Sequence, residues 1–151
     1  RSRRPPLDNV NALLSFAYSL LASDCAAALE GTGLDPYVGF LHRARPGRRS
    51  LALDLMEELR TVLADRFVLS CINQKVLNAK HFEKQENGAV LLTEEGRRAF
   101  LNAWQQKKRE VITHPFLKEK LCWGLVPYVQ ALLLARTLRG DLEVYPPFFW
   151  K

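Results

Sequence analysis

The fold is decided by Ser50–Gln74, SLALDLMEELRTVLADRFVLSCINQ, which runs for 25 residues without proline or glycine. Leu51, Leu55, Leu59, Val62, Leu63, Phe67 and Leu69 recur at three-to-four spacing and form a broad apolar stripe. Asp54, Glu58, Thr61 and Asp65 fall on a second stripe, with Glu57 flanking it three residues after Asp54. That period belongs to an amphipathic helix and not to a strand. Ser50 is placed to cap it.

The stretch before it, Val10–Leu29 (VNALLSFAYSLLASDCAAAL), is apolar on nearly every face. Asp8 or Asn9 can cap it, and Gly31 and Gly33 can end it. A helix of this kind is buried on most sides or binds a partner. Between the two helices lies GLDPYVGFLHRARPGRR, in which Arg43, Arg45, Arg48 and Arg49 crowd around Pro46-Gly47. This connector reads as an exposed, basic loop.

Beyond Gln74 the pattern changes. Asn87-Gly88, between HFEKQE and AVLL, signals a two-residue hairpin over residues 81–92. Thr93-Glu94-Glu95 opens a helix expected to reach about Val111, with Arg97, Arg98, Lys107, Lys108 and Arg109 on its surface. A last helix is expected from about Pro115 to Leu138, kinked or divided by Pro127, with Gly140 as terminator. The tail Glu143–Lys151, EVYPPFFWK, reads as ordered. The expected fold class is mainly α: a single bundle-like domain over residues 1–151, with one small β-hairpin and a basic, flexible lead at residues 1–6.

At 151 residues, 48% apolar and 25% charged, the composition excludes a wholly disordered chain. Charges interrupt the apolar runs, so no membrane span is expected. Twenty-two Lys and Arg against 16 Asp and Glu leave a net charge of +6, which favours an anionic partner, nucleic acid first. The chain opens on RSRRPP instead of Met, and reads as a piece of a longer or processed protein. Cys25, Cys71 and Cys122 are odd in number, widely spaced and set among apolar residues. They read as buried, reduced thiols of a cytoplasmic protein, with no CxxC for a zinc site. Trp104, Trp123, Tyr128 and Phe149 read as core.

His42 precedes the arginine loop, and Asp54, Glu57 and Glu58 occupy the first turns of the following helix. A loop folded back would bring an imidazole and one or two carboxylates to a common point, a donor set for Mg²⁺ or Mn²⁺. The arginines beside it could hold phosphates as bidentate donors. The same residues also read as ordinary: a loop histidine, first-turn acids that suit a helix N-terminus, and a solvated turn. His81 and His114 have no acidic constellation and read as structural. Ser15, Ser19 and Ser70 sit inside helices, away from any nucleophile elbow, and no phosphate-cradling glycine loop is present.

The motifs NALLS (11–15), GLDPYVGFLH (33–42), RPGR (45–48), SLALDLMEE (50–58), LTEEGR (92–97) and WGLVPYVQ (123–130) together resemble the C-terminal helical domain of the CRISPR-associated adaptation endonuclease/integrase family. The likeness runs over essentially the whole chain. It implies a metal-dependent DNA endonuclease/integrase of spacer acquisition. In such an enzyme the 3′-hydroxyl of a prespacer attacks a phosphodiester at the repeat boundary. It implies His42 and Glu57 as metal ligands with Asp54 close by, and Mg²⁺ or Mn²⁺ as cofactor. Arg45, Arg48 and Arg49 are expected on the DNA backbone. Implied partners are double-stranded DNA (prespacer and repeat) and a small companion adaptation protein, with homodimers in full-length members. The family's first metal-binding Glu has no match among Asp8, Asp24, Glu30 and Asp35, so the chain alone is expected to be inactive or nearly so. Two other expectations stand beside this: a non-catalytic DNA-binding or assembly domain using the basic loop and helix 94–111, and a helical scaffold whose charge is incidental.

Overall fold

The structure is a computed structural model that describes residues 8–34 and 50–150. Helix α1 spans Asn9–Gly31, and Asp8 caps it by accepting a hydrogen bond from the Asn11 amide at 2.8 Å. Gly33, at φ +80°, closes its far end. Leu13, Ala17, Leu21, Cys25 and Leu29, one turn apart, form its fully inward face. By length and composition α1 could cross a membrane, contrary to the sequence expectation, because Asp24 and Glu30 are its only charges. In this fold its inward apolar face packs against the other helices and the first hairpin.

Helix α2 (Ser50–Leu59) passes through a π turn (Arg60–Asp65) into α3 (Arg66–Asn73). Ser50 is the first helical residue, and its capping side chain lies outside the described residues. Leu51, Leu55, Leu59, Leu63 and Phe67 are buried, and Val62 packs on the core. Leu69 is exposed, and Thr61 faces water while Asp54 is buried, so the acidic stripe does not hold one face. Leu69 lies about 200° round α3 from the buried Phe67, so it faces away from the core.

The first hairpin pairs β1 (Phe82–Lys84) with β2 (Val90–Leu92). Its connection is longer than the two residues expected. Gly88 N–H bonds the Gln85 carbonyl, Gln85 N–H bonds the Ala89 carbonyl, and Gly88 sits at φ +87°. This is a three-residue loop with glycine in the left-handed position. Helix α4 (Glu94–Lys108) follows, capped by Thr93 through the Gly96 amide at 3.0 Å. It stops short of Val111, which lies in a second hairpin that sequence reasoning missed.

That hairpin joins β3 (Val111–Thr113) to β4 (Lys120–Cys122). His114 organises its loop: Nδ1 accepts from the Phe116 and Leu117 amides, each at 3.1 Å. Pro115 therefore begins a turn and not a helix. Helix α5 runs Val126–Leu138, with Pro127 in its first turn, where a missing N–H costs nothing. Pro127 starts the helix and does not kink it.

α1 lies against α2 and α5, and α4 against α3. Between them, Phe67 meets Phe100 and Trp104 with ring centres 5.0 and 5.1 Å apart. Asp24 of α1 accepts from Trp104 Nε1 and Lys108 Nζ, both at 3.2 Å, tying α1 to α4. The tail is ordered, as expected. Phe148 is buried, packing edge-on against His114 at 5.4 Å and stacking on Trp150 at 5.9 Å. Trp104 and Trp123 are core as expected, whereas Tyr128 and Phe149 are exposed. Cys25 and Cys71 are buried free thiols, but Cys122, at the hairpin edge, is only half-buried.

Candidate metal and nucleic-acid site

Helix α2 carries three acids in one turn, and the fold treats each differently. Asp54 is buried, at 5% exposure. Glu57 points to solvent and pairs with Arg60 Nη1 at 3.3 Å. Glu58 turns inward. Both its oxygens accept from the Tyr145 hydroxyl at 2.9 Å, and Oε1 also accepts from the Phe148 amide at 3.0 Å and Gln130 Nε2 at 3.2 Å. Burial pushes the Glu58 carboxyl above its usual range, the bonds from Phe148, Tyr145 and Gln130 pull it back, and the Asp54 charge raises it further.

Asp54 and Glu57, three residues apart, lie along one side of α2. An exposed carboxylate beside a buried one is a donor set a hard divalent cation accepts. His42, Arg45, Arg48 and Arg49 lie outside the described residues. Among the described residues, no group of three or more His, Cys, Asp or Glu side chains converges to hold a metal. His81 and His114 are structural, as expected. His81 Nδ1 accepts the Asn78 amide at 3.0 Å. His114 Nε2 lies 2.7 Å from Gln130 Oε1. With Nδ1 already accepting two amides, Nε2 carries the proton and donates it to Gln130.

Sequence reasoning missed what surrounds Glu57. Arg60 lies over the Tyr18 ring, 6.0 Å from its centre, and the Tyr18 hydroxyl donates to Asp65 Oδ1 at 2.5 Å. The i,i+3 spacing of Glu57 and Arg60 was a readable signal. The approach of Tyr18 from α1 was not, because it depends on how two distant helices pack.

Residues 1–106 match the family described as CRISPR associated protein Cas1. The chain belongs to that family. It is 64% identical over its full 151 residues to CRISPR-associated endonuclease Cas1 2 of Rhodospirillum rubrum, and spans 44% of that relative's length. Among solved structures, a casposase bound to integration product superposes with a TM-score of 0.87 at 29% identity, over 100% of this chain and 44% of that one. A chain of a structure described as a partial Cas6-RT-Cas1–Cas2 complex does so with a TM-score of 0.78 at 28% identity, over 100% of this chain and 44% of that one.

Proposed function

We propose that this chain is the helical part of a Cas1 DNA integrase, with His42, Asp54 and Glu57 as its metal-binding side chains and Arg45, Arg48 and Arg49 on the DNA backbone. The observation that carries the reading is the pair on α2: an accessible Glu57 one turn beyond a buried Asp54, inside the motif through which the chain resembles the family. The likeness to a casposase bound to its integration product supports DNA joining as the reaction. The likeness to a complex that contains Cas2 supports a small companion protein as partner.

Mg²⁺ or Mn²⁺ held by these residues would polarise a phosphodiester and stabilise its leaving oxygen. The protein's own part is positional. Asp54 is fixed by burial, and Glu57 is presented on a helix that is bonded to the tail through the adjacent Glu58. The loop arginines grip phosphates, which carry no base identity, so affinity falls steeply with salt. Joining is a transesterification in which a DNA 3′-hydroxyl replaces the leaving 3′-oxygen, so the number of phosphodiesters is unchanged. The family's first metal-binding Glu has no match in these 151 residues, so by themselves they fall well short of an intact relative's activity.

The test places this chain in the corresponding segment of the Rhodospirillum rubrum relative and measures strand joining into a repeat duplex with Mn²⁺. His42→Ala and Glu57→Ala are each expected to lower joining at least about a hundredfold, as loss of a metal contact does. Arg48→Ala should weaken DNA binding and leave Mn²⁺ binding intact. Unchanged joining in both His42→Ala and Glu57→Ala refutes the metal assignment.

A further inference from the structure

We propose that Arg60 is a built-in counter-ion of Glu57, one that a divalent cation displaces and that then binds a DNA phosphate beside the cation. The inference rests on the site reading above and deepens it.

Three observations carry it. Arg60 pairs with Glu57 at 3.3 Å, yet both side chains keep 40% of their surface in water, so the pair can open without burying a bare charge. Arg60 also has a second hold, its guanidinium lying over the Tyr18 ring. That ring is itself fixed, because its hydroxyl bonds Asp65 from the other end of the π turn. Arg60 begins that turn and Asp65 ends it. The π turn thus closes a loop from Glu57 through Arg60 and Tyr18 to Asp65, joining α2 to α1. π turns inside helices recur at functional sites.

The chemistry follows from that geometry. A guanidinium presents five N–H donors and can stack and donate in plane at once. With Glu57 as its partner it neutralises the carboxylate. Once Glu57 gives its oxygens to a divalent cation, Arg60 is repelled by the added positive charge. Tyr18 keeps it within reach, and its in-plane donors then face solvent beside the cation, where a phosphate would lie. Arg60 therefore opposes the cation while the site is empty of DNA and helps the phosphate once the cation is bound.

A merely structural arginine would not produce these two opposite effects. With this segment placed in the Rhodospirillum rubrum relative, as in the joining assay, Mn²⁺ binding is followed by the electron paramagnetic resonance of free Mn²⁺. Binding of duplex DNA is followed by fluorescence anisotropy, with Mn²⁺ and with chelator. Arg60→Gln is expected to tighten Mn²⁺ about tenfold, because one positive charge close to a divalent ion is removed. It should weaken DNA binding about fivefold in Mn²⁺ and hardly at all in chelator. Arg60→Lys keeps the charge and should leave Mn²⁺ affinity near that of the unaltered chain; if it tightens as Arg60→Gln does, charge is not the cause and the inference falls. Glu57→Gln separates the two layers. If it abolishes Mn²⁺ binding while Arg60→Gln fails to tighten it, the counter-ion role is wrong and the site reading stands. If the relative carrying the unaltered segment binds no Mn²⁺, or Glu57→Gln binds it unchanged, the site reading is wrong and this inference goes with it.

Discussion

Replacing Glu58 by alanine removes the group on which α2, α5 and the tail meet. Three side chains or amides give it hydrogen bonds: Tyr145, Phe148 and Gln130. Gln130 Nε2 retains the Tyr145 oxygen at 2.7 Å and the Pro146 carbonyl at 3.2 Å, so it is not orphaned. The Tyr145 hydroxyl and the Phe148 amide lose their acceptor. A part-buried donor left without one costs about 1–3 kcal/mol, so the two together cost about 3–4 kcal/mol once some water enters. For a chain of this length that lowers the melting temperature by about 10 °C. Circular dichroism melts measure it, and limited proteolysis should show earlier cleavage within residues 143–150. A drop under about 2 °C, with the tail equally protected, would refute the reasoning, since it would mean the tail is held by its aromatic packing alone.

The same residue gives a pH signature. Its carboxyl is raised in the folded chain above its ordinary value of 4.5, chiefly by burial, so the folded state favours the protonated form. The linkage sign follows: the stability gained from protonation is fully present below the unfolded value and is lost as pH rises through the folded value. Glu58→Gln cannot ionise and keeps one acceptor oxygen. The unaltered chain should therefore lose melting temperature relative to Glu58→Gln as pH is raised from the ordinary carboxyl value of 4.5 towards neutrality. Parallel curves, or the opposite slope, contradict the burial account.

Gly96→Ala separates propensity from packing. Propensity alone would stabilise α4 by about 1 kcal/mol. A Cβ there would lie 2.5 Å from the His81 carbonyl oxygen and 2.8 Å from its Cβ, so the hairpin must shift, at about 1–3 kcal/mol. A lower denaturation midpoint is expected, and a higher one overturns the close approach. Thiol labelling tests the core: burial raises Cys25 strongly and pushes Cys71 up to about 11, so neither should react with a disulfide reagent at pH 8 in the folded chain, while half-buried Cys122 reacts first. Labelling of Cys25 at the rate of Cys122 contradicts the packing of α1.

Local chemistry made much of the fold legible. Asp8 and Thr93 are caps whose side chains do what their type predicts. The buried stripe of α2 follows its spacing as far as Phe67, and Asn87-Gly88 marked a true turn even though the loop is one residue longer than expected. What stayed hidden depends on distant partners. β3 and β4 are three residues each, too short for an alternating pattern, and their loop is shaped by His114, whose own partner is sixteen residues away at Gln130. The tail could be read as ordered from its aromatics, but not as bonded to an acid on α2. Of the candidate site, Asp54 and Glu57 could be named from the motif. Nothing in their spacing distinguished the buried acid from the exposed one.

That distinction bears on how a helix can present a ligand at all. Glu57 and Glu58 are adjacent, so their side chains leave α2 about 100° apart. A rotation of α2 by one residue would put Glu57 against Tyr145 and Phe148 and send Glu58 to solvent. Three hydrogen-bond donors on the inner side fix Glu58, and through it the direction of Glu57. On the outer side the Tyr18–Arg60 contact limits where the Glu57 carboxylate can swing. The π turn is what lets one helical rod do both, since it keeps Leu63 and Phe67 in the core while bringing Asp65 round to Tyr18. The tail is therefore part of how the Glu57 carboxylate is aimed, although Tyr145 and Phe148 never face the solvent side of α2. A variant that loosens the tail, such as Tyr145→Phe, should weaken the cation binding proposed at Glu57 without changing any residue on that side.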